Sequence, residues 1–224
     1  RGRAAARNTG ISLSNGNILL FCDADRFPNP NFIKNHLHTV KNNLKTISVG
    51  CPLEFWGKID ENVDWTYINR FSRASYYYDN IQNLFSKEGQ TDSAICWLSF
   101  LVGNLCLHKK TIVESGGFNE AFTQWGFEHF ELGLRLYQRN CNTILLRENY
   151  NYHIPHKRGK GFYQNMIQES FKIFQRLHPQ TDLYPFKNYM LGKLSLQDLE
   201  KLFSGRISET IFRKEPIKLN IINM

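Results

Sequence analysis

Asp23 and Asp25 stand two residues apart, directly after the apolar run Ile18-Leu19-Leu20-Phe21-Cys22. In an extended segment residues i and i+2 project to the same side, so the two carboxylates can share a hard divalent cation, or one cation and a ribose. An Asp-X-Asp pair alone is equally at home in a solvated turn. Glu128 and His129 form a second pair, at the start of a segment whose apolar residues Phe127, Phe130, Leu134 and Tyr137 recur at helical spacing. A neutral imidazole takes a proton from a hydroxyl near neutral pH, and a carboxylate does so if desolvation raises its pKa. A histidine packed between Phe127 and Phe130 is the plainer reading of the same residue. His153 and His156 lie three apart in a polar stretch that continues as Lys157-Arg158-Gly159-Lys160-Gly161, a pliable basic loop. Such a loop is either a lid over an anionic ligand or a solvated surface segment.

The elements that must position these groups follow in order. Residues 3–15 mix Ala, Arg, Leu and Ile as a helix does, and Asn15-Gly16-Asn17 ends it. Ile18 to Cys22 reads as a central strand buried on both faces of a parallel sheet. The acidic pair therefore sits at the carboxyl end of a buried strand, where open α/β sheets bind ligands. A helix is expected from Asn31 to Leu44, a strand from Thr46 to Cys51, and a Tyr-rich helical or irregular stretch from Trp65 to Phe85. Gly126 to Gln138 is a helix and Thr143 to Leu146 an edge strand. Amphipathic helices around Gln164–Leu177 and Ser195–Phe203 read as an appendage, giving a core over residues 1–160 and a helical extension over 161–224 packed on it.

With 42% hydrophobic residues in 224, the chain can bury a real core, which excludes a disordered chain. No run approaches the ~18 apolar residues of a membrane span. Five cysteines, odd in number and without CxxC spacing, suit reduced buried thiols and a cytoplasmic setting better than disulfides or zinc. The net charge of +8 points to an anionic partner, which is compatible with peripheral membrane association. No nucleic-acid motif accompanies the charge, and none is expected as a partner. The basic start Arg1-Gly2-Arg3 carries no Met and no hydrophobic leader, and reads as an internal start.

Taken together, Ala6-Arg7-Asn8, the strand with Asp23-Ala24-Asp25, Gly116-Gly117-Phe118-Asn119-Glu120-Ala121-Phe122, and Trp125-Gly126-Phe127-Glu128-His129-Phe130-Glu131 follow one another in an order that resembles GT-A fold glycosyltransferases of the family 2 type. The resemblance covers roughly residues 1–160. It implies an α/β fold with a mostly parallel central sheet and helices on both faces, and it places the uridine-binding half ahead of Arg1, outside this chain. It also implies that Arg7 and Asn8 lie near a nucleotide diphosphate, a role that suits the two-pronged guanidinium. Asp23 is then expected to face the nucleotide or donor sugar, and Asp25 to bind Mn²⁺ or Mg²⁺. His153, 25 residues past Glu128, matches a metal-binding histidine of related families, and one imidazole in an oxygen-rich site suits Mn²⁺. Lys157 and Arg158 would close on the diphosphate. Trp125 and Gly126 open the acceptor-site segment, and Glu128 or His129 supplies the base. Many inverting relatives have Glu-Asp where this chain has Glu128-His129.

The activity that the resemblance implies is metal-dependent transfer of a hexose or N-acetylhexosamine from a nucleotide diphosphate sugar, a UDP-sugar first among them, to an acceptor hydroxyl with inversion. The acceptor would be a glycan, a lipid-linked molecule or a protein. The alternative is a non-catalytic module that keeps the fold and binds a sugar or partner.

Overall fold

The computed structural model describes residues 2–58, 63–154, 159 and 161–205. In chain order the elements are α1 (Arg3–Leu13), β1 (Ile18–Phe21), β2 (Arg26–Pro28), α2 (Phe32–Val40), β3 (Thr46–Phe55), α3 (Trp65–Arg70), β4 (Ser72–Ala74), α4 (Tyr76–Ile81), β5 (Leu105–His108), α5 (Lys109–Glu114), α6 (Glu128–Gln138), β6 (Asn142–His153), α7 (Phe162–Leu177), α8 (Tyr184–Met190) and α9 (Leu196–Phe203). The strands form one sheet in the order β1-β5-β3-β6-β2, with β4 added to β3.

The α/β expectation holds. Parallel pairing is concentrated at the centre, in the β3–β6 ladder of nine residue pairs, and the ladders around it are antiparallel. Two strand assignments are corrected. Ile18–Phe21 pairs with β5 and ends the strand order of the described residues rather than lying at its centre. An unbroken apolar run measures burial by helices and loops as well as by neighbouring strands, so it does not distinguish the two places. The strand expected at the edge, Thr143–Leu146, is instead the start of a twelve-residue strand held between β3 and β2. Arg147-Glu148-Asn149 interrupts its apolar pattern, because the ladder shifts register there: Gly50 faces Leu146, and Cys51 faces Tyr150. The resulting bulge is anchored. Arg147 Nη2 donates to the carbonyls of Phe85 and Ser86, both at 2.9 Å, and buried Asn149 donates to the carbonyl of Phe32 at 3.2 Å.

Alternation along β3 separates two environments. Ile47, Val49 and Cys51 belong to the main apolar core. Ser48, on the other face, hydrogen-bonds buried His36 of α2 at 2.7 Å, and the other ring nitrogen of His36 meets Asn104 Oδ1 at 2.8 Å. Burial holds the His36 pKa down at about 4 although the Asn104 bond opposes it, so the imidazole is a neutral polar pin for α2 on the sheet. All five cysteines are free thiols. Burial pushes Cys51 to about 11 and Cys96 and Cys106 to about 12, which leaves these three chemically inert.

Trp97, fully buried, joins the sheet side of the core to the C-terminal helices. Its indole meets Phe130 of α6, Phe174 of α7 and Phe186 of α8 at centroid distances of 6.4, 6.0 and 5.1 Å, each ring edge-on. Truncating a buried aromatic of this size typically costs about 3–5 kcal/mol, so α7 and α8 are held by the same apolar cluster that seats α6. Among the described residues no helix is long and apolar enough to cross a membrane.

Candidate active site

The chain ends of β1 and β3, the last residue of β6 and the first turn of α6 open onto one cleft of about 540 Å³, into which Arg7, Asp23, Asp25, Glu128, His129 and His153 all project. The sheet register brings one group of these together. Arg26 of β2 faces His153 across the antiparallel ladder, and Glu54 of β3 faces the same His153 across the parallel one. Asp25, the residue before β2, accepts at its carbonyl from Ile154 N at 3.1 Å. As a result Asp25 Oδ2 lies 3.3 Å from His153 Nε2, and Glu54 Oε2 lies 2.6 Å from His153 Nδ1. Asp25 is about half exposed, whereas the imidazole is buried.

The second group is organised by Arg7. Ala4, Arg7 and Ile11 share one face of α1; the two apolar residues enter the core and draw the guanidinium inward between them. Arg7 Nη1 donates to Glu128 Oε1 at 2.7 Å, Nη2 donates to Asp23 Oδ1 at 3.2 Å, and the guanidinium lies over the Phe118 ring at 5.4 Å. Glu128 opens α6, where the helix dipole favours a carboxylate. Its burial pushes the pKa up, but His129 and Arg7 outweigh that and leave it at about 2. At 3.8 Å the approach of His129 Nδ1 to Glu128 Oε1 is longer than a hydrogen bond, so Arg7 at 2.7 Å grips the carboxylate more firmly. Among the described residues Glu128 Oε2 is buried without a hydrogen-bond partner. The ring of His129 rests on Phe130 at a centroid distance of 4.1 Å and keeps part of its edge in the cleft.

Because the Glu128 pKa falls from 4.5 in an unfolded chain to about 2 in the fold, the unfolded state binds the proton first as pH drops. The stabilisation from this ionised carboxylate is complete above about pH 4.5 and is lost as pH falls towards 2. Urea unfolding of wild type and Glu128→Gln over this range should therefore show a difference that shrinks with acid. A difference independent of pH contradicts the assignment.

Other residues singled out in the sequence fall as follows. Trp125 lines the cleft, with Tyr163 edge-on to it at 5.1 Å. Gly126 does not supply a contact to the cleft but a close approach: a Cβ there would collide with Ser170 Oγ of α7, whose hydroxyl donates to the Trp125 carbonyl at 3.1 Å. Asn8 is turned away from the cleft. Its amide donates to the Phe118 carbonyl at 2.8 Å and Glu120 Oε1 at 2.9 Å, and its carbonyl accepts from Phe118 N at 2.9 Å, so it pins the turn after α5. Lys157 and Arg158 lie outside the described residues. Glu131 is buried in a fork from Arg135, with both bonds at 2.7 Å, and a contact of 3.0 Å from His178 Nε2, which makes it a structural tie between α6 and α7. Glu54 and Arg26 are among the cleft residues that were not singled out from sequence. The available signal for Glu54 was an acidic residue one position before Phe55, just past the expected end of a buried strand.

Among the described residues no group of three or more His, Cys, Asp and Glu side chains is arranged to hold a metal ion. The Asp25–His153 pair nonetheless fits one. Their carboxylate oxygen and ring nitrogen, 3.3 Å apart at the rim of the cleft, are of the kind that ligate a divalent cation, and Glu54 addresses the other ring nitrogen.

Residues 1–177 match the family described as Glycosyltransferase like family 2. Validoxylamine A glucosyltransferase of Streptomyces hygroscopicus subsp. jinggangensis is 26% identical over 189 residues, 79% of this chain and 44% of that protein. Chondroitin synthase of Escherichia coli is 26% identical over 215 residues, 77% of this chain and 29% of that protein. The chain thus spans less than half the length of these relatives. The crystal structure of GalNAc-T7 with UDP, GalNAc and Mn²⁺ superposes with a TM-score of 0.51 at 16% identity, over 92% of this chain and 43% of that one. S. aureus TarS 1-349 does so at 0.53 and 13%, over 91% and 52%. These likenesses make the fold GT-A, and with the match over residues 1–177 they establish that the chain belongs to the family 2-like glycosyltransferases.

Proposed function

We propose that this chain carries the catalytic centre of a metal-dependent glycosyltransferase that moves a hexose or N-acetylhexosamine from a UDP-sugar to an acceptor hydroxyl with inversion. The observation that carries the reading is the convergence of Asp25–His153 and Arg7–Glu128–His129 on one cleft, a cation pair and a base pair within reach of the same ligand. GalNAc-T7, solved with UDP and Mn²⁺ on the same fold, supports the choice of donor and metal. Asp25 and His153 would hold Mn²⁺ or Mg²⁺, which when bound takes up charge on the diphosphate. Arg7 is engaged with two carboxylates, so its part is to hold Glu128 ionised and Asp23 in place. Lys157 and Arg158 are the cations that the sequence offers to the diphosphate itself.

His129 is the base in this reading. Its Nδ1 faces the ionised Glu128, which favours the tautomer with the proton on Nδ1 and leaves Nε2 to accept the acceptor's hydroxyl proton. The acceptor oxygen then bonds to the anomeric carbon as the bond from that carbon to the diphosphate oxygen breaks. Glu128 steadies the imidazolium that forms, as a buried carboxylate does in a catalytic triad. Trp125 offers an aromatic wall for the acceptor, which is a glycan, a lipid-linked molecule or a protein.

One observation favours the alternative of a binding module without turnover: His129 stands where many inverting relatives carry Asp. A screen of UDP-sugars against saccharide, lipid-linked and peptide acceptors with Mn²⁺, read by product stereochemistry in NMR, decides between them. An inverted glycoside formed only with metal is the expected result. Saturable UDP-sugar binding with no product from any acceptor establishes the binding module instead.

A further inference from the structure

We infer that Glu54 is a positioning residue for His153, fixing both the tautomer and the orientation of that ring, an inference that rests on the proposed metal role of Asp25 and His153. The strand register that brings them together is specific. Glu54 and His153 are direct partners in the parallel ladder, so their side chains leave the sheet on the same face, and Glu54 Oε2 meets His153 Nδ1 at 2.6 Å. That distance is in the range of charge-assisted hydrogen bonds. The opposite ring nitrogen, Nε2, points to Asp25 Oδ2 at 3.3 Å. The two carboxylates thus address the two ring nitrogens separately, and only one of them faces the side where a cation would sit.

A neutral imidazole has one N–H and one lone pair, and what the second nitrogen bonds to decides which is which. With Nδ1 as donor to Glu54, Nε2 is the ligating atom. Without Glu54, the proton is free to occupy Nε2, and the ring is free to turn about its Cβ–Cγ bond. Both changes weaken a ligand without removing it. Glu54 is itself held, being largely buried and lying in a central strand rather than a loop. Partners of this kind typically contribute about 10–100-fold to metal affinity.

The test uses the full chain and Mn²⁺ alone, with free Mn²⁺ read by electron paramagnetic resonance, together with ¹⁵N NMR of the His153 ring in the metal-free protein. Glu54→Ala is expected to weaken Mn²⁺ binding about 10–100-fold and to move the ring proton signal from Nδ1. Glu54→Gln keeps an acceptor oxygen and should lose less, with the Nδ1–H signal retained. It preserves shape and so keeps the inference open to refutation if the Ala variant misfolds. Mn²⁺ affinity within twofold of wild type in both variants, or an unchanged ring tautomer in Glu54→Ala, overturns the role of Glu54. If wild type and His153→Ala bind Mn²⁺ equally poorly, the metal reading fails and takes the inference with it. If Asp25→Ala loses binding while the Glu54 variants do not, only the inference fails.

Discussion

Asp25→Ala is expected to lower kcat/KM about a thousandfold, and excess chelator should bring the wild-type enzyme down to the same level. A metal ion neutralising a leaving diphosphate contributes several kcal/mol in the transition state, and ~4 kcal/mol at ~1.36 kcal/mol per decade is about a thousandfold. Asp25 Oδ2 and His153 Nε2, 3.3 Å apart, are the two donors that the cleft presents side by side. The Asp25 side chain is about half exposed, and its carbonyl, rather than its carboxylate, carries the bond to Ile154. Thermal midpoints of the variant and wild type, measured alongside, separate a loss of chemistry from a loss of fold. Asp23→Asn provides a contrast, because that carboxylate is spent on Arg7 and on a weaker approach to Arg26 at 3.8 Å. Activity of Asp25→Ala within tenfold of wild type, with turnover indifferent to chelator, removes the metal from the mechanism.

His129→Ala should lower kcat by about 10²–10⁴-fold, the usual contribution of a positioned base, with donor KM nearly intact. The argument is by comparison with its neighbour. Glu128 is buried, gripped by Arg7 at 2.7 Å and held at a pKa of about 2, so it stays ionised through any workable assay range. It therefore contributes no inflection to a rate profile above about pH 4, and an acid limb seen near neutrality belongs to another group. Glu128→Gln should also be damaging, because it releases Arg7 and leaves Nδ1 of His129 without its negative neighbour. The two variants differ in kind: a base-deleted enzyme loses the acid limb altogether, whereas Glu128→Gln keeps it at a lower rate. Should His129→Ala retain kcat within threefold of wild type, another group is the base.

The parts of this site that local sequence discloses are those whose chemistry is written in a short segment. Asp23 and Asp25 follow an apolar strand, Glu128 and His129 begin an amphipathic helix, and His153 closes a strand, and all five reach the cleft. Glu54 did not stand out because its significance is a matter of pairing: ninety-nine residues separate it from His153, and the alignment of two strands makes them neighbours. Asn8 went the other way. It sits one residue from Arg7, but one step along a helix turns a side chain by about 100°, enough to send its amide to the Phe118 turn instead of the cleft. Tyr77 and Tyr78 lie in the Tyr-rich stretch and are core residues, but the acceptors of their hydroxyls, the carbonyls of Leu98 and Gly50, were not legible. Burial of a polar-tipped ring depends on a distant acceptor that no local window contains.

The bulge at Arg147-Glu148-Asn149 works as a spacer of fixed count. Before it, β6 runs 96 positions ahead of β3, as in the Thr46–Asn142 pair; after it, 99, as in the Glu54–His153 pair. Had the first offset continued, Glu54 would stand opposite Tyr150 and His153 opposite Gly57. The reading frame of the cleft is therefore kept by three residues that never touch it. Surface-lying insertions and deletions are ordinarily the mildest of sequence changes, yet here the loss of a single residue between Leu146 and Tyr150 would carry Ile154 into the place of His153 if the first half of the strand kept its seat. Homologous chains that keep the Asp25–His153–Glu54 arrangement should accordingly keep the number of residues here and the anchoring that Arg147 and Asn149 supply, with exposed Glu148 the position left to vary.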